Sequence, residues 1–253
     1  MIVHQSRTMP VILHLDTSTQ VCTVALSTNG KLLGIRENDD ERTHSRKLSV
    51  YIQELFKENG LHAGALDAVA VGLGPGSYTG LRIGVSTAKG LAYGSGLPVI
   101  GIGTLDILLQ GALQNDEVKN LLRRYPSALL CPMIDARRME VYTCLCNREG
   151  IRIEEVRARV VDRDSYRERL LESPIIFFGN GAEKCREKIR DKNARFVENI
   201  VPSARFMIPL AERSWQQKNF ENVAYFEPFY LKDFVATIPR DKLFPGKGPG
   251  ATR

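Results

Sequence analysis

Residues 11–15 form a continuous apolar run that closes on Asp16, Thr17, Ser18 and Thr19. Residues 21–27 alternate, Asn29 and Gly30 supply a hairpin turn, and residues 31–37 return as a third strand. Over residues 45–59, Leu48, Tyr51, Ile52, Leu55 and Phe56 recur at helical spacing until Gly60 stops the helix. Their stripe is wider than one packing partner needs. Residues 67–73 read as a buried strand, and a helix-like pattern of small and apolar residues begins near Thr79. In that helix Gly80, Gly84 and Ala88 share one edge, and small residues at four-residue spacing allow close approach, within the chain or between chains.

The pattern then starts again. A polar stretch at 113–127 reads as a connection, after which residues 129–134 form a new buried strand ending in Asp135. A short turn with Arg137 and Arg138 leads to a second alternating strand, repeating the layout around Asp16. Residues 151–161 read as a further strand, 162–171 as a helix, 175–178 as a buried strand, and Gly179-Asn180-Gly181 as the opening of a helix to Ile189. That GxG is either an adenosine loop or a plain strand-to-helix turn. After Pro202 a helix runs to about Lys218 with Trp215 as its anchor. The spacing therefore predicts an α/β protein whose lobes are 10–112 and 128–238. Residues 1–9 are expected to be an extension, and 239–253 a basic tail too poor in apolar residues to build a core.

Chemistry concentrates where residue 73 meets residue 79. Gly72, Gly74, Gly76 and Gly80 each cost backbone entropy, so something is expected to lie close against this backbone. A strand end feeding a helix N-terminus, with the hydroxyls of Ser77 and Thr79, suits an anion or a carbonyl-rich ligand. The stretch lacks a Walker lysine and dinucleotide glycine spacing, so a tight strand–helix junction is the alternative. Asp16, Thr17 and Ser18 are either a capped turn or a phosphate-side cluster, and Asp135 is the matching carboxylate of the second half. His44 lies ahead of the first helix without the further ligands a zinc site needs.

The run from Gly74 to Gly84, with Tyr78 where Phe is more usual, resembles the signature of the TsaB (YeaZ) family, non-catalytic relatives of the TsaD/Kae1 glycoprotease-like proteins. The run from Asp135 and the closing Glu227-Pro228-Phe229-Tyr230-Leu231-Lys232 resemble its other motifs, Lys232 standing where Arg is usual. The resemblance implies a two-lobed actin-like ATPase fold (the hexokinase, Hsp70 and actin superfamily) with duplicated mixed-sheet lobes and a reduced second lobe. TsaD-like proteins carry two metal-binding histidines, four apart, at positions that here align with Thr104 and Leu108. The implied function is that of a scaffold in tRNA threonylcarbamoyladenosine (t6A) synthesis, pairing with a TsaD-type transferase and joined by a TsaE-type ATPase. tRNA would be met through the complex, and a homodimer would form in isolation.

On this reading no residue is catalytic and no metal or cofactor is required. Asp16, Thr17, Ser18, Gly76, Ser77, Thr79 and Asp135 would at most contact ATP or ADP at a residual or partner-shared site. Leu48, Tyr51, Ile52, Leu55, Phe56, Gly80, Gly84 and Ala88 would form the partner interface. The rival is a stand-alone ATPase or phosphotransferase using Asp16 and Asp135.

Composition adjusts this little. The 253 residues carry a net charge of +6, which allows RNA or an acidic partner but equally a solvated basic surface. Five cysteines without CxxC spacing argue for a reducing compartment. Cys144 and Cys146 share a strand face, as core residues do. With no apolar run of about eighteen residues and no signal-peptide core, the chain is expected to be cytoplasmic and off the membrane.

Overall fold

The computed structural model describes residues 10–38 and 44–231. The expectations for residues 1–9, Lys232 and 239–253 lie outside the described residues. The first sheet contains β1 (Val11–Asp16), β2 (Cys22–Thr28), β3 (Lys31–Asn38), β4 (Ala68–Gly74) and β5 (Val99–Gly103), in the order β3-β2-β1-β4-β5. β2 runs antiparallel to both neighbours, while β4 and β5 continue parallel to β1. The second sheet contains β6 (Leu129–Asp135), β7 (Glu140–Cys146), β8 (Arg152–Val160), β9 (Ile175–Phe178) and β10 (Ala194–Val197), in the order β10-β9-β6-β7-β8. Read from its other edge, this is the first order again with the same mixture of directions. The duplicated lobes expected from the sequence are therefore present as topology.

What differs between the lobes is the helices between equivalent strands. The first lobe inserts α1 (His44–Asn59) before β4 and α2 (Tyr78–Ser95) before β5. Two more, α3 (Thr104–Gln114) and α4 (Asp116–Arg124), lead to the second sheet. There the insert before β9 is the six-residue α5 (Arg167–Glu172), and the one before β10 has only a single 3-10 turn at Glu183–Cys185. Two helix expectations, at 162–171 and up to Ile189, thus shrink. What each segment keeps is its buried apolar set, Tyr166 and Leu170 in the first and Ala182, Cys185 and Ile189 in the second.

The stretch at 113–127 is not a bare connection either. Asn115 caps α4 by accepting from the amides of Glu117 and Val118, and Val118 and Leu122 are buried in the second lobe's core. Packing also takes residues 204–229 out of the lobe expected at 128–238. The last helix, α6 (Ala204–Gln216), belongs to the first lobe, where Ala204, Met207 and Ala211 pack with Ile12, Ala25, Ala68 and Ile100. The chain beyond it stays there: Glu221 bridges to Val99, Phe226 enters the first core, and the Phe229 amide donates to the Leu73 carbonyl at 2.9 Å. The five cysteines are all free and buried, Cys144 and Cys146 with Sγ atoms 3.9 Å apart. Among the described residues no helix is long and apolar enough to cross a membrane.

Candidate functional site

The polar turn after β1 and the glycine loop after β4 meet face to face, because β1 and β4 are parallel neighbours whose ends lie side by side. Ser77 caps α2 by accepting from the Gly80 amide, and the Gly74–Pro75 peptide is cis. The Ser77 amide donates to the Ser18 carbonyl at 2.7 Å, and the Thr17 hydroxyl donates to the Gly80 carbonyl at 2.7 Å. A Cβ built on Gly76 would collide with the Ser18 carbonyl, and one on Gly80 with the Thr17 carbonyl. What lies close against the glycine backbone is therefore the chain's own first turn. The Ser77 amide and the hydroxyls of Thr17 and Ser77, which the sequence offers to an anion, are spent on this seam and on the α2 cap.

Asp16, Thr17 and Ser18 are buried within it. One Asp16 carboxylate oxygen accepts from the Ser18 amide at 3.0 Å, while its other oxygen and the Ser18 hydroxyl have no partner. Burial pushes the Asp16 carboxyl up to about 6, against a smaller pull from its contacts to Ser18 and from His44. His44 is itself buried at the start of α1 and donates from Nε2 to the Gln20 carbonyl at 2.9 Å, a structural contact. Thr79 lies outside the seam, exposed on the first turn of α2.

Asp135 is not brought into this cluster. It is exposed at the end of β6 and pairs with Lys184, while its carboxylate accepts from the Arg137 amide at 2.8 Å. The Asn180 side chain accepts from the Asp135 amide at 3.0 Å, so the Gly179–Gly181 turn buttresses the second lobe's own hairpin. A cavity of about 210 Å³ beside that turn is lined by Arg186, Phe196, Glu198 and Val201 among others, and is smaller than pockets that hold drug-sized ligands. Among the described residues no three His, Cys, Asp or Glu side chains gather as a metal site.

The interface expectation needs correction. Leu48, Tyr51, Ile52 and Leu55 are buried in the first lobe's core together with Leu13, Val24 and Val69, and Phe56 packs partly buried against them. Ala88 is buried in the same core, Gly80 and Gly84 lie against Thr17, and none of the eight forms an exposed face. The wide stripe of α1 is consumed by the sheet and α2. The residues left outside are different ones on the same two helices: Val50 is 42% and Tyr93 87% exposed, and nothing lies within 4 Å of a Cβ placed on Gly90 or Gly94.

Comparison with known proteins bears on this arrangement. The chain is 32% identical over 244 residues to the tRNA threonylcarbamoyladenosine biosynthesis protein TsaB of Haemophilus influenzae, covering 93% of this chain and 98% of that one. It is 32% identical over 242 residues to the Escherichia coli TsaB, covering 93% and 99%. The chain belongs to the TsaB/YeaZ family. The TsaD family, described as tRNA N6-adenosine threonylcarbamoyltransferase, also matches, over residues 26–240. Among solved structures, YeaZ from Pseudomonas aeruginosa superposes with a TM-score of 0.70 at 26% identity, covering 88% of this chain and all of that one. The fold of two mixed sheets is thus that of the family. Thr104 and Leu108, one turn apart on α3, are both fully buried.

Two features escaped the sequence reading. Tyr78, Arg82 and Tyr230 form a surface cluster, with the Arg82 guanidinium 4.2 Å from the Tyr78 ring centroid and donating to the Tyr230 hydroxyl at 3.2 Å. The outer stripe of α2 also went unread. Helical periodicity offered the signal for it, since Arg82, Ser86, Gly90 and Tyr93 recur opposite the buried edge.

Proposed function

We propose that the chain is a non-catalytic scaffold subunit in t6A synthesis, pairing with a TsaD-type transferase. The carrying observation is the double match: near full-length likeness to TsaB proteins and likeness to the transferase family over 26–240. Supporting it, the two positions that align with the transferase's metal histidines hold Thr104 and Leu108, which lack imidazole donors and are sealed in the core. The closed seam between the first turn and the glycine loop likewise suits a subunit with no nucleotide chemistry of its own. A TsaE-type ATPase would join the pair, tRNA would be met in the assembly, and a second copy of the chain would use the same face in the partner's absence.

The face proposed for pairing is the outward side of α1 and α2, around Val50, Gly90 and Tyr93. A bare helix stripe at Gly90 lets a partner helix approach closely, and Tyr93 offers a large amphipathic contact. The test is co-purification with the TsaD-type protein of the same organism. The wild type is expected to pair, while Gly90→Arg and Tyr93→Glu lose pairing without a fall in melting temperature. Failure of the wild type to associate overturns the scaffold reading. Pairing by both variants overturns the face alone.

A further inference from the structure

We infer that the hairpin tip at Arg137 and Arg138 is a phosphate-binding site for an RNA backbone. Both arginines have left-handed backbone conformations, φ 69° and 49°, in adjacent positions. Non-glycine residues enter that region at a cost, and a run of two is held only where surrounding contacts over-determine it. Those contacts are present. Lys184 donates to the Arg138 carbonyl at 2.7 Å and to the Glu140 carbonyl at 2.6 Å, and also pairs with the Asp135 carboxylate. Asp135 in turn accepts from the Arg137 amide, and the Ala136 amide donates to the Glu140 carbonyl at 3.1 Å.

The side chains so held have no partner of opposite charge. Both residues are exposed, and neither guanidinium makes a salt bridge among the described residues, whereas Arg36, Arg152, Arg157, Arg169 and Arg186 each meet a carboxylate. Lys184 cancels the one carboxylate that the turn itself uses, so the tip keeps the full charge of two planar forks. Guanidinium forks match phosphate oxygens in pairs, and phosphate contacts set the register of a nucleic acid without reading its bases. An RNA backbone rather than an acidic protein is favoured because the proposed function, on which this inference rests, brings a tRNA to the assembly.

The test exploits the strain. The double variant Arg137→Asn/Arg138→Gly puts at the tip the residues that enter the left-handed region most easily, so its melting temperature should not fall. Binding of an unmodified tRNA transcript is measured across a salt series for the full chain, alone and with the TsaD-type protein. The variant is expected to bind more weakly at low salt, with the slope of log affinity against log salt reduced by about two, roughly one for each arginine removed. Arg137→Lys/Arg138→Lys, which keeps the charges, should restore most of the slope. An unchanged slope in the stable Asn/Gly variant, or no tRNA binding by the wild type in either state, overturns the inference. So does loss of partner pairing with the slope intact, which would assign the tip to a protein contact. Pairing is scored separately, so a chain that never associates with the transferase fails the scaffold reading rather than this one.

Discussion

Two buried ionisable residues on β1 pull the protein's pH response in opposite directions. Asp16 has its carboxyl raised from 3.8 to about 6 by burial, so the folded state holds its proton more tightly than the unfolded state. Its contribution is most favourable below pH 3.8 and is lost as pH rises through 6, about 3 kcal/mol in all. His14, also fully buried, is lowered from 6.5 to about 3 by desolvation, so its contribution is complete above pH 6.5 and is lost as pH falls towards 3. The measurement is unfolding free energy by urea titration from pH 4 to 8. Relative to Asp16→Asn, the wild type should lose stability between about pH 4 and 6 and run parallel above that. His14→Gln should flatten the acid limb instead. A wild-type curve parallel to that of Asp16→Asn throughout would mean that the seam admits water to the carboxylate.

At the scale of elements, the glycines of the loop and of α2 fall into two groups with opposite expected responses. Gly76 and Gly80 face carbonyl oxygens of the first turn, and neither backbone can give way without opening the seam. Gly76→Ala or Gly80→Ala should therefore cost about 2–4 kcal/mol, the range for overpacking combined with a broken buried network. Gly90 faces open space on the outside of α2, and Gly90→Ala should stabilise by about 0.5–1 kcal/mol through helix propensity alone. Thermal melts of the three variants decide the matter. The same logic applies to Ile52, which lies in the first core, so Ile52→Glu should unfold the chain rather than block a surface. Eight of the strands and α1 could be read from the sequence because their periodicity is local, whereas β5 and β10 went unread. The partner of each buried face could not, since helical spacing marks a covered stripe without saying whether the cover is this chain or another.

For the whole molecule, the decisive feature is the return of the chain to the first lobe. The Ala204 amide donates to the Thr23 hydroxyl at 2.7 Å, and the Ser203 hydroxyl and Arg205 reach Glu37, tying the α6 N-terminus to β2 and β3. A chain truncated after Val201 should lose cooperative unfolding in the first lobe, because one face of its sheet would be left uncovered. Hydrogen exchange should show β1 and β4 losing protection first, whereas two independent lobes would leave them unchanged. Meanwhile α3 carries residues of both sides, Ile107 in the core under α6 and Leu105, Leu108 and Leu109 in the second lobe's core. The lobes are therefore joined by a shared helix and a returning tail, more than by the 113–127 stretch.

Spacing within a few tens of residues was enough to mark every strand but β5 and β10, the two long helices of the first lobe, the repetition of the lobes and the family signature from Gly74 to Gly84. Only the tertiary structure decided what fills the glycine loop, what covers α1 and where the last helix packs. Each of those depends on pairs far apart in the chain, such as Thr17 with Gly80 or Thr23 with Ala204. A periodic pattern records that a face is buried and leaves no trace of which distant segment buries it.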